Sequence, residues 1–288
     1  MGCPAAPQAD VWRIAGIGPG GPNEGSDGRQ TARPADQMIV GMTTTLNNKV
    51  ALVTGGSRGI GAAIALRLAQ DGADVALTYR QDTEQAATVV KRIEALGRRA
   101  LAIQADGADP TAVTGAVDRA AAELGRLDIL VNNAAVFLVG AVDELGMTEV
   151  EQTVAVNIRA PYVAARAALR HLGEGGRIIS IGSNVGERAV FPGLTLYAMS
   201  KTALVGLTRG LARELGSRNI TVNLINPGPT DTDANPADGP NAAAIAGFTA
   251  LGRYARPADI AATVAHLASP EAGYVTGAVV NVDGGFTS

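Results

Sequence analysis

The chain has 288 residues, enough for one large domain or two small ones, and 47% are hydrophobic against 18% charged, which describes a globular protein with a sizeable core. A net charge of −3 gives no general attraction for polyanions, and 3% aromatic residues supply no stacking platforms for bases, so no nucleic-acid partner is expected. The single cysteine, Cys3, excludes an intrachain disulfide and points to a reducing, cytoplasmic setting; two histidines, His171 and His266, are too few for a multi-histidine metal site, so no metal is expected; and no apolar run approaches the ~18–20 residues that cross a bilayer.

Residues 1–45 are rich in Gly, Pro and polar residues and lack sustained periodicity, so they are expected to be a disordered extension or the product of a misplaced translation start. They lack the charged start and apolar core of a secretory signal. The glycine run at 16–21 has no strand before it and no helix after it, so it is not a phosphate loop. Residues 46–288 read as one domain. Val50–Thr54 is an apolar strand ending in glycines. Helical spacing follows over Ile60–Gln70, then a strand over Asp74–Tyr79 and a helix over Thr83–Leu96, closed by Gly97. Arg99–Gln104 reads as a strand, Pro110–Leu124 as a helix ending at Gly125, and Asp128–Asn132 as a strand. A helix is predicted over 149–172, a strand over Arg177–Ile181, a helix over Leu196–Leu215 and a strand over Ile220–Ile225. Residues 257–268 make a helix with Pro257 in its first turn, and Ala278–Val282 is the last strand.

Strands alternating with helices imply a parallel sheet covered on both faces, and near-continuously apolar strands agree. Right-handed crossovers make it doubly wound, with ligands at the carboxyl ends of the strands.

After the first strand comes TGGSRGIG, residues 54–61. Gly55 permits a tight turn, Gly59 and Gly61 allow close approach of a pyrophosphate and of the neighbouring strand, and the following helix offers free N–H groups. This strand–glycines–helix context predicts a dinucleotide site. An NAD site usually carries a carboxylate at the end of the second strand, whereas here that strand ends Thr78–Tyr79–Arg80. Arg80 and Arg58 suit a 2′-phosphate, so NADP(H) is the expected cofactor. Asp82 is the counter-evidence, and its place directly before Thr83 marks it as a helix cap.

From residue 49 onward the sequence resembles the short-chain dehydrogenase/reductase family. The resemblance rests on TGGSRGIG, on Asp106 after the third strand, on NNAA at 132–135, on Asn157 in VNIR, on Ser183 in SIGS, on Tyr197 and Lys201, on NPGPTDT at 226–232 and on DGG at 283–285. It implies a single Rossmann-type sheet of about seven strands in the order 3-2-1-4-5-6-7. It implies cofactor contacts from Gly55, Ser57, Arg58, Gly59, Ile60, Gly61, Tyr79, Arg80, Asp106, Asn133, Ala134, Tyr197, Lys201, Pro227, Gly228 and Thr230. It implies a catalytic set of Ser183, Tyr197, Lys201 and Asn157, with Asn157 anchoring a water. The implied reaction is reversible hydride transfer between nicotinamide and a carbonyl carbon. Tyr197 would serve as acid/base, its pKa lowered by Lys201 one helical turn on, with Ser183 donating to the carbonyl oxygen. Two positions depart from the family pattern: Ala135 replaces a glycine, and Ser183 stands fourteen residues before Tyr197, one more than is common. Ser180 is the rival serine.

Residues 228–250, rich in Pro, Gly and Asp, read as a mobile lid. Val136, Phe137 and Leu138 on one side, with Phe191 and Leu194 on the other, suggest apolar walls. The expected substrate is a small-to-medium, largely apolar ketone, of which the 3-oxoacyl type is one option. The family also implies subunit contacts through the helices at 149–172 and 196–215, hence a homotetramer or homodimer. A second reading is a nucleotide sensor, because residues 231–240 resemble the same stretch of a bacterial family member linked to cyclic-di-GMP binding and biofilm dispersal.

Overall fold

The structure, a computed structural model, describes residues 45–288; the expectation for the N-terminal segment falls outside these residues, save Thr45. Seven parallel strands form one sheet in the order β3-β2-β1-β4-β5-β6-β7. They are β1 (Val50–Val53), β2 (Asp74–Tyr79), β3 (Ala100–Gln104), β4 (Leu127–Asn132), β5 (Leu172–Ile181), β6 (Thr221–Pro227) and β7 (Val279–Val282). The helices between them are α1 (Gly59–Gln70), α2 (Thr83–Glu94), α3 (Pro110–Leu124), α4 (Met147–Thr153), α5 (Ala160–Ala168), α6 (Thr195–Leu215), α7 (Ala242–Gly247) and α8 (Pro257–Ala268).

The strand period of two divides the core. Ala51 and Val53 of β1 face a layer built with Ile64 and Leu68 of α1, Val89 and Ile93 of α2, and Ile260 and Val264 of α8. Val50 and Leu52 face the opposite layer, with Val113 and Val117 of α3, Ala164 and Ala168 of α5, and Leu211 and Leu215 of α6. Each fully buried Leu or Ile contributes about 1.5–3 kcal/mol, and alanine on the helices lets them approach closely.

Local signals account for the ends of the elements. Asp82 caps α2 by accepting from the Gln85 N–H at 3.0 Å, and Asp109 caps α3 by accepting from the Thr111 N–H at 2.8 Å. Gly125 closes α3 in the left-handed region at φ 88°. The amino ends of two strands are held by ion pairs, Asp74 with Arg98 and Arg99 and Asp128 with Lys49 and Arg126. His171, at the turn into β5, lies 2.7 Å from Asp118.

Two predicted elements are corrected. The helix expected over 149–172 is α4 and α5 joined by a π-helical turn, Val154–Arg159, which holds Asn157. It stops at Ala168, and β5 begins at Leu172, paired with Leu127 of β4. Three glycines, Gly173, Gly175 (φ 77°) and Gly176, favour the extended ladder over a further helical turn. The 228–250 stretch carries local structure of its own. Thr230 bridges to Ala255, Asp231 accepts from the Ala237 N–H at 2.9 Å, and α7 occupies its second half.

Candidate functional site

The strands' carboxyl ends open into a cleft of about 1200 Å³ running from Asp106 and Arg80 across the glycine turn to Phe137 and Leu138. Thr54 builds its floor. The Thr54 hydroxyl accepts from the N–H groups of Asn133 (2.9 Å) and Ala134 (3.1 Å), while Asn133 Nδ2 donates to the carbonyls of Thr54 (2.9 Å) and Gly55 (3.0 Å). Thr78 completes the turn, its hydroxyl accepting from the Gly55 N–H at 3.0 Å. The backbone of Gly55 and Gly59 is left-handed, φ 64° and 53°.

Arg58 precedes α1 in extended backbone and its side chain does not cap the helix. The first-turn N–H groups therefore have no side-chain cap and point at the cleft, as a diphosphate requires. Ser57, Arg58, Ile60, Tyr79, Arg80, Asp106, Asn133 and Ala134 all line that cleft, as expected. Arg80 is exposed, its guanidinium contacting the Gln81 side chain at 3.5 Å, and Asp82 is occupied as the cap of α2. The donor set thus fits a dinucleotide with an additional phosphate on its ribose. Thr232, Asp233 and Ala234 come over the same turn, the Thr232 methyl lying 3.4 Å from where a Cβ on Gly59 would stand. Pro227 ends β6, and Gly228 lies so close to Asp283 that a Cβ there would stand 2.6 Å from the Asp283 Cα. Thr230 is buried with its hydroxyl donating to the Gly228 carbonyl at 3.0 Å.

The expected catalytic residues lie beyond Phe137, outside the lining of that cleft, with Ser183 and Lys201 lining a smaller pocket of about 220 Å³. Tyr197 lies in the first turn of α6, and Lys201 Nζ sits 5.7 Å from its ring centroid. Ser183 follows β5 and caps a short 3₁₀ turn over Asn184–Gly186, its hydroxyl accepting from the Val185 N–H at 3.2 Å. Ser180, the rival, lies within β5, 3.5 Å from Asn132 Nδ2. Asn157 holds both polar groups of Val136: Oδ1 accepts from its N–H and Nδ2 donates to its carbonyl, each at 2.9 Å. Asn157 Nδ2 also donates to the buried Ser200 hydroxyl (3.0 Å), which donates to the Tyr197 carbonyl (2.8 Å). The π turn therefore ties the end of β4 to the Tyr197 turn of α6, as π-bulges often do at functional sites.

The pair's electrostatics differ from expectation. Burial pushes Tyr197 up from 10.0 to about 12, with the Ser183 hydrogen bond pulling the other way. Burial pushes Lys201 down from 10.5 to about 8. The expected lowering of the phenol by Lys201 is overridden by burial, and the ammonium donates to the Ile181 carbonyl at 2.9 Å. The two groups then have opposite linkage. Lys201's burial cost, up to about 3 kcal/mol, is present below pH 8 and is relieved as pH rises towards 10.5; Tyr197's contribution is present below pH 10 and is lost as pH approaches 12. The stability advantage of a Lys201→Met variant over the native chain should therefore shrink as pH rises from 8 to 10. Melting curves with a pH-independent difference would contradict this.

A scarce apolar side chain gathers here. The sequence has four phenylalanines. Phe137 meets the Tyr197 ring edge-on with centroids 4.7 Å apart; Phe191, Phe248 and Phe286 form a contiguous row at 5.6 and 5.8 Å. Phe137 and Phe191 are exposed. Their loops are joined where the Gly140 N–H donates to the Gly193 carbonyl at 3.0 Å. Leu194, expected in the wall, is buried instead. Thr78, Ser200, Phe248 and Phe286 escape a motif reading, and the motif that begins at Thr54 gives no sign of its bonds to Asn133 and Ala134; the rarity of phenylalanine is a usable signal.

The family model described as enoyl-(acyl carrier protein) reductase matches residues 55–287. A short-chain dehydrogenase from Burkholderia cenocepacia J2315, solved in complex with NADP, is 56% identical with a TM-score of 0.84, the match covering 85% of this chain and 100% of that one. The cyclic-di-GMP-binding biofilm dispersal mediator protein of Escherichia coli K12 is 45% identical over 83% of this chain and 97% of its own length. Versicolorin reductase of Emericella nidulans is 40% identical over 83% of this chain and 96% of its own. The chain belongs to the short-chain dehydrogenase/reductase family and is one of its oxidoreductases.

Proposed function

We propose that the chain is an NADPH-dependent carbonyl reductase acting on a small-to-medium, largely apolar ketone, with Tyr197 as the acid/base. One observation carries this reading: a phenol with the Lys201 ammonium behind its ring meets edge-on the Phe137 that lines the cleft of the glycine turn, and the Ser183 hydroxyl pulls its pKa down. The cofactor is NADP(H), as in the Burkholderia relative; when bound it supplies or accepts the hydride. Ser183 donates to the carbonyl oxygen of the substrate. Tyr197 hands that oxygen its proton as negative charge grows there. Lys201 keeps N–H groups beyond the one given to Ile181, which suits a hold on the nicotinamide ribose. Asn157 retains an Oδ1 lone pair and a backbone carbonyl for a water, while its side chain fixes the turn bearing Tyr197. The exposed rings of Phe137 and Phe191 support an apolar substrate, and residues 228–250 serve as the lid.

NADPH consumption against a panel of ketones tests the reading, run with native protein and Tyr197→Phe. Turnover that depends on the phenol is expected. The cyclic-dinucleotide relative supports a second reading, a nucleotide sensor; tight binding of cyclic-di-GMP with no Tyr197-dependent turnover would favour it. On the first reading, Arg80→Gln raises the KM for NADPH by about 10–100-fold and leaves that for NADH unchanged, since one charged hydrogen bond is worth ~1.5–3 kcal/mol. Equal effects on both cofactors would remove Arg80 from phosphate recognition.

Val154 in the π turn, Tyr162 of α5 and Met199 of α6 are exposed apolar residues on the helices the family uses for subunit contact, which supports a homodimer or homotetramer, to be read by light scattering. Among the described residues no helix is long and apolar enough to cross a membrane; the single cysteine supports a cytoplasmic setting.

A further inference from the structure

We infer that Asn226 is the positioning residue for Ser183, held in its working orientation by Glu187 and Asn281. This rests on the reading of Ser183 as a catalytic residue. The β5–β6 ladder reaches Gly182, whose N–H donates to the Ile225 carbonyl at 2.7 Å. The next rung would need an N–H from residue 227, and Pro227 has none. The backbone pairing therefore ends one residue short of the serine. The serine is instead held by the Asn226 side chain, Oδ1 accepting from the Ser183 N–H at 3.2 Å. A Cβ on Gly182 would collide with that oxygen, so the glycine clears the path of the amide.

Three consecutive residues are thereby anchored to neighbouring elements: the Ile181 carbonyl by Lys201, the Gly182 N–H by β6 backbone and the Ser183 N–H by Asn226. Asn226 is 3% exposed, and the environment decides which way its amide faces. Nδ2 donates to Glu187 Oε1 (3.1 Å) and to Asn281 Oδ1 (3.2 Å). Glu187 Oε2 accepts in turn from Asn281 Nδ2 at 2.8 Å. An ionised carboxylate only accepts, so the flipped amide would set oxygen against oxygen at Glu187 and N–H against N–H at Ser183. Asn281 continues to Thr287 (3.0 Å), whose hydroxyl donates to Asp283 (2.6 Å). The closing DGG segment is thus linked through side chains to the loop of the serine.

The test is a cycle of Ser183→Ala and Asn226→Ala, with kcat for a ketone, NADPH affinity and Tm read for each. Asn226→Ala should lower kcat about 10–100-fold, the scale of a small misplacement of a reacting group, with NADPH affinity unchanged. In the Ser183→Ala background the same change should cost kcat nothing further, while its effect on Tm persists. Should Asn226→Ala fold poorly, Asn226→Asp keeps the acceptor for Ser183 but meets Glu187 as a like charge. It should lose kcat, and adding Glu187→Gln should restore most of it. Equal kcat losses for Asn226→Ala in both backgrounds, or no rescue, overturn the inference. Native turnover indifferent to Tyr197→Phe would instead sink the reductase reading beneath it.

Discussion

Tyr197→Phe should lower kcat/KM for ketone reduction by about 10²–10⁴, the range of a positioned acid–base group, while NADPH binds as before. The change removes one oxygen and keeps the ring. The ring supplies the edge contact with Phe137 and the face towards Lys201, so the wall and the ammonium stay in place. The proton on that oxygen is what is lost, and Ser183 cannot replace it, since a free hydroxyl is a far weaker acid than phenol. A phenol pushed up to about 12 is almost wholly protonated near neutral pH, so the phenolate that alcohol oxidation needs is scarce, and oxidation should suffer more from low pH than reduction of the ketone. Steady-state rates with a fluorescence titration of NADPH separate the two effects. A variant with native turnover, or one that no longer binds cofactor, would contradict the role given to the hydroxyl.

Gly61→Ala should abolish useful cofactor affinity and lower Tm by roughly 2–10 °C, from an overpacking cost of ~1–3 kcal/mol. A methyl there collides with the Gly55 carbonyl oxygen and would stand 2.5 Å from Asn133 Nδ2. Both neighbours belong to the clamp between β1 and β4, since Asn133 donates to the carbonyls of Thr54 and Gly55. Neither can retreat without opening the floor under the diphosphate. Gly115→Ala is the control: nothing lies within 4 Å of its added methyl, and alanine is the better helix former there. Similar losses at both positions would mean that crowding in the turn is not the cause.

Periodicity and punctuation made most of the sheet legible, because doubly buried strands are apolar throughout and glycine or a capping aspartate marks the ends of several helices. Thus Asp74–Tyr79, Pro110–Leu124 and 257–268 are found where the pattern puts them. The π turn at Val154–Arg159 is hard to read, because one extra residue per turn hardly disturbs an apolar face; the one local signal is Pro161, which has no N–H to give the Asn157 carbonyl four residues back. The start of β5 was missed because LGEGG carries little apolar signal and pairs only through backbone. Within the site, motif spacing brought Ser183, Tyr197 and Lys201 together. It placed Asn226 in a motif without its hold on Ser183, and it could not find the bond between Ser200 and Asn157, since both contacts join residues tens of positions apart; nor could it give the direction of the phenol's shift, which burial decides.

The single backbone bond from Gly140 to the Gly193 carbonyl fastens the two sides of the substrate cleft to each other. Gly193 is left-handed at φ 83°, and a side chain there would press on Val139. Widening one side therefore drags the other. Anyone reshaping this enzyme for bulkier molecules should diversify 137–140 and 191–194 as a joint library, because variants chosen separately on each loop would not combine additively.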